Sequence, residues 1–60
     1  MYAAITTNRT TGEITIIAGA SGVRVFKTAT EAILYGLTIY GRDNQYVTVA
    51  AIQLGSIVGE

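Results

Sequence analysis

Cysteine, histidine and proline are all missing from this 60-residue sequence, and each absence excludes something. Without cysteine the chain forms no disulfide and offers no thiolate nucleophile. Without histidine it lacks the usual base for serine or threonine chemistry, and the two absences together remove the customary zinc ligands. With no proline, repeat or low-complexity tract to mark a linker, residues 1–60 read as a single domain. Charge is scarce as well. Lys and Arg (4) balance Asp and Glu (4), and charged residues make up 13% of the chain, against about 25% in an ordinary soluble domain. Such a balance draws neither nucleic acid, anionic lipid nor an acidic substrate from a distance.

The four acids, Glu13, Glu31, Asp43 and Glu60, are too scattered to pair for acid–base work or to converge on a hard metal. "GASG" (19–22) opens onto strand-like sequence rather than a helix N-terminus, so it reads as a turn and not as a phosphate cradle. The sequence therefore assigns no catalytic residue, metal ligand or cofactor, and the expectation is that the chain is not an enzyme. "MYAAITTNRT" lacks the basic start and apolar block of a signal peptide. The uncharged stretch 44–59 carries Asn, Gln, Thr and Ser and falls short of the roughly 20 apolar residues that cross a bilayer. A cytoplasmic chain with no membrane span is expected.

What the sequence has in excess is apolar surface: half its residues are hydrophobic. A chain this short buries only about 60% of the surface its unfolded form exposes, and with disulfides and zinc unavailable, association is the remaining means of stabilisation.

The pattern along the chain predicts an α+β fold, a small β-β-β-α-β domain whose antiparallel or mixed sheet carries one helix on one face. "YAAITT" (2–7) and "EITIIA" (13–18) are β-branched strands joined by "NRTTG", with Gly12 in the left-handed conformation. "VRVFK" (23–27) follows "GASG" as a third strand, with either Val23 and Val25 or Arg24 and Phe26 facing the helix. Thr28 and Glu31 form the T-x-x-E capping box of a helix that Gly41 ends. Small or apolar residues at 29, 32, 33, 36, 37 and 40 give its inward face. Gly36, costing about 1 kcal/mol of helix propensity, implies close approach to the sheet. Leu34 points outward, Tyr35 lies at the border, and Ile39 belongs to the edge of the core. "QYVTVAAIQLG" (45–55) is a long strand, with "SIV" (56–58) as a continuation or fifth strand. Its alternate sets, Tyr46, Thr48, Ala50, Ile52 and Leu54 against Val47, Val49, Ala51 and Gln53, are both largely apolar. It is thus either central and covered on both sides, or its second face meets another subunit.

These features predict a non-catalytic protein-binding module, homodimeric or a higher symmetric oligomer, that regulates or inhibits a larger protein. Size alone likens it to small phage or mobile-element products. The candidate interface residues are Leu34, Tyr35, Tyr46, Val47, Val49 and Ile57. Two other roles compete: a structural subunit of a larger assembly, and a nucleic-acid-binding dimer in which Arg9, Arg24, Lys27 and Arg42 line one edge beside stacking tyrosines. Four cations offset by four acids weigh against the last.

Overall fold

In the computed structural model, which describes residues 1–54, the elements follow the chain as β1 (Tyr2–Asn8), β2 (Ile14–Ile16), β3 (Ala18–Gly19), β4 (Gly22–Val23), α1 (Ala29–Tyr40) and β5 (Val47–Gln53). The fold is α+β, with an antiparallel sheet in the order β2-β1-β5 and α1 packed across one side of it. β3 and β4 form a separate two-stranded ribbon. The "SIV" segment lies outside the described residues. Among the described residues no helix is long and apolar enough to cross a membrane.

Backbone hydrogen bonds define which edge of β1 each residue serves. Asn8 N–H donates to the Glu13 carbonyl at 2.8 Å and Ile17 N–H to that of Ala4 at 2.9 Å, so even-numbered residues of β1 bond toward β2. Arg9 N–H donates to the Tyr46 carbonyl at 2.8 Å and Leu54 N–H to that of Met1 at 2.7 Å, so odd-numbered residues bond toward β5. The central strand is therefore β1. Among the described residues the doubly apolar β5 is an edge strand, not a central one.

Cross-strand partners share a face. Tyr2, Ala4 and Thr6 lie on one side with Thr15, Ile17, Val49 and Ala51, and α1 covers that side. Its core is built from small residues: Ala4, Ala32 and Ile17 are buried, with Tyr2, Phe26, Tyr35 and Ala51 packed around them. Gly36 is buried in α1 where a Cβ would stand 2.5 Å from Val49 Cγ1 and 3.3 Å from Ile17 Cδ1, which is the close approach its presence implies. Thr28 caps the helix: its hydroxyl accepts from Glu31 N–H and donates to Glu31 Oε1, both at 3.2 Å. Gly41, at φ 82°, ends it with its N–H on the Leu37 carbonyl at 2.8 Å. Gly12, at φ 79°, closes the β1–β2 loop, in which Asn8 Oδ1 accepts from Thr10 and Thr11 N–H.

The third strand differs from expectation. Past Ile17 the chain leaves the sheet as the β3–β4 ribbon and returns only at Phe26, whose N–H and carbonyl exchange bonds with Tyr2 at 2.8 and 2.7 Å. A continued β2 would set Gly19 beside Tyr2, and glycine buries nothing there. Phe26 takes that position instead and lays its ring against Tyr35 (centroids 5.3 Å apart, planes at 42°). Arg24 and Phe26 thus lean toward the helix, while Val23 and Val25 are exposed. Ile39 is also corrected: it is 51% exposed and does not join the core edge.

Candidate binding surface

The sheet side away from α1 carries Ala3, which is buried, with Ile5 and Thr7 of β1, Ile14 and Ile16 of β2, and Thr48, Ala50 and Ile52 of β5, as the register requires. No charged side chain stands among them. Ile14 is 62% exposed, Ile16 43% and Ile52 40%, with Ile5 and Ala50 half-buried between them. Fully burying one such aliphatic side chain is worth about 1.5–3 kcal/mol, so three isoleucines on one flat face make a surface that favours a cover. Sequence alternation could not single this face out, because both alternations of β5 are apolar. The signal that distinguishes it is the pairing of Ile14 and Ile16 with β1, which depends on register.

The interface candidates are dispersed. Leu34 (50% exposed) lies on the outer side of α1, and Tyr46 (74% exposed) precedes β5. Tyr35 is half-buried against Phe26, with the Arg24 guanidinium 5.2 Å above its ring. Val47 and Val49 turn their side chains to the α1 side, so they belong to the core margin and not to the open face. Ile57 lies outside the described residues.

The cations do not form one edge. Arg9 belongs to the loop after β1, where its Nε donates to the Asn44 carbonyl at 3.1 Å, and Arg42 lies in the α1–β5 loop at that same end. Arg24 and Lys27 flank Phe26 at the opposite end of β1, about 20 Å away for a strand of this length. Two pairs so placed make no continuous track for a phosphate backbone. Of the described acids, Glu31 stands at the start of α1, and Glu13 in the β1–β2 loop and Asp43 in the α1–β5 loop stand toward the opposite end of the sheet.

A concavity of about 360 Å³ lies between the β3–β4 ribbon and α1, lined by Gly19–Arg24 and Tyr35. Arg24 is the one ionisable cation in its lining, and its guanidinium is already stacked over the two rings. Comparison with family models, curated proteins and solved structures found no match to this chain.

Proposed function

We propose that this chain is a non-catalytic, self-associating module that recognises another protein through the open face of its sheet. The observation that supports this reading is the uncharged patch of Ile14, Ile16 and Ile52 around Ile5 and Ala50. Aliphatic side chains on a flat, preformed surface supply binding free energy without chemistry, as the recognition core of a regulator or inhibitor requires. The parted cations and acids add no second function to it.

Two measurements test the proposal. Light scattering across a dilution series is expected to report a mass above the 6.3 kDa of one chain; a single-chain mass at every concentration removes the self-association. Affinity capture with wild type and with Ile16→Lys then addresses recognition. Proteins held by the wild type and lost by the variant support the open face, whereas an unchanged set removes it.

A further inference from the structure

We infer that a second copy of this chain pairs with the free edge of β5, antiparallel and centred on Ala50, so that two three-stranded sheets become one of six strands. This rests on the self-association reading and names the surface that performs it. Because the even-numbered residues of β5 bond to β1, the N–H and C=O groups of Val47, Val49, Ala51 and Gln53 point away from the sheet. The Val47 amide is held by Asn44 Oδ1 at 3.1 Å. The amides of Val49, Ala51 and Gln53 have no acceptor among the described residues.

Edge strands of water-soluble proteins are ordinarily guarded by charge, proline, a bulge or brevity. β2 meets that rule, being three residues long and followed by the ribbon that turns away. β5 meets none of it: its seven residues, VTVAAIQ, pair with β1 in unbroken register and carry no charge. The edge also fits itself. Full overlap of two such strands has one register, with Val49 opposite the partner's Ala51 and Val47 opposite the partner's Gln53, and it places outward-pointing groups against outward-pointing groups. About six inter-chain hydrogen bonds result, and no like charges meet. The two-fold axis then stands normal to the sheet, leaving both helices on one side and joining the two open faces on the other. Tyr35 leans toward Phe26 on the β2 side, so Ile33 and Leu37, on the other flank of the wheel, stand over β5. Both are half-buried and lie where the second helix arrives. Stable interfaces take about 600–1,000 Å² from each partner, a seventh to a quarter of the 4199 Å² surface, within reach of one edge strand with a helix flank above it.

Since the chain has no cysteine, single-cysteine variants read the arrangement directly. At the axis, Ala50 meets the partner's Ala50 as a non-hydrogen-bonded pair with Cα atoms about 4.5 Å apart, within disulfide reach. Ala50→Cys is therefore expected to oxidise to a covalent dimer. Thr48→Cys and Ile52→Cys should do so when mixed and not when alone, and Ile16→Cys should stay reduced. In unmodified protein the Val49, Ala51 and Gln53 amides should exchange slowly with deuterium when concentrated and freely on dilution. A dimer by light scattering that links through Ile16→Cys but not Ala50→Cys, with those three amides unprotected, overturns the edge pairing and leaves self-association standing. A single chain at all concentrations overturns both.

Discussion

Gly36 shows how one missing methyl shapes this molecule. An alanine there gains about 1 kcal/mol of helix propensity, yet its Cβ would press on Val49 Cγ1, a γ-methyl on a stiff β-branched side chain. Overpacking of that kind costs about 1–3 kcal/mol, so Gly36→Ala is expected to lower stability by about 1 kcal/mol in urea titration. Adding Val49→Ala to the same chain should recover part of the loss, and the coupling in that double-mutant cycle checks the contact. Thr28→Ala, which removes both hydrogen bonds of the cap, should cost about 1 kcal/mol by the same assay. Both residues were legible in the sequence, because a helix cap and a helical glycine act through local backbone geometry. Val47 and Val49 were not. Two apolar alternations give no means of telling inside from outside until a partner strand sets the register.

Helix α1 was readable at its centre, where Ala32 and Gly36 of the inward series are both buried, but not at its last turn, where Ile39 and Tyr40 are exposed. Leu34→Lys should leave its helicity and the unfolding midpoint nearly unchanged, while Ala32→Lys, placing a charge where exposure is nil, should unfold the domain. Circular dichroism distinguishes the two. The ribbon of β3 and β4 was the element hidden from view. Its residues have good strand character, but whether a segment joins a sheet depends on what it would place there, and Gly19 beside Tyr2 is a worse choice than Phe26. Amides of residues 18–25 should therefore exchange with deuterium faster than those of β1, whose residues are paired on both sides.

For the whole molecule, the proposed self-association predicts a dependence on concentration. If two copies complete one another, the melting temperature must rise as protein is added, because mass action favours the associated folded state. Calorimetry over a hundredfold concentration range is expected to show a shift of several degrees, whereas a constant midpoint would describe an autonomous fold. Composition alone raises this expectation. The edge that the proposal uses could not be read there, because it depends on β5 lying at the rim of the sheet. The β1–β2 hairpin, the cap and the turn at Gly12 come from neighbours in the chain; the rim comes from the pairing of β1 with β5, in which Ile5 meets Ala50 from 45 positions away.

That distance has a temporal meaning. The strand at the middle of the sheet is translated first and its flank β5 last, with Tyr2 joined to Gln53. At about 5–20 residues per second, some seconds separate the emergence of β1 from that of β5. Until then β1 can hold only β2, and a two-stranded hairpin is marginal in water. A nascent chain extended until Tyr46 but not β5 has left the exit tunnel should consequently be digested by protease on the ribosome, and one extended far enough to free Gln53 as well should resist it.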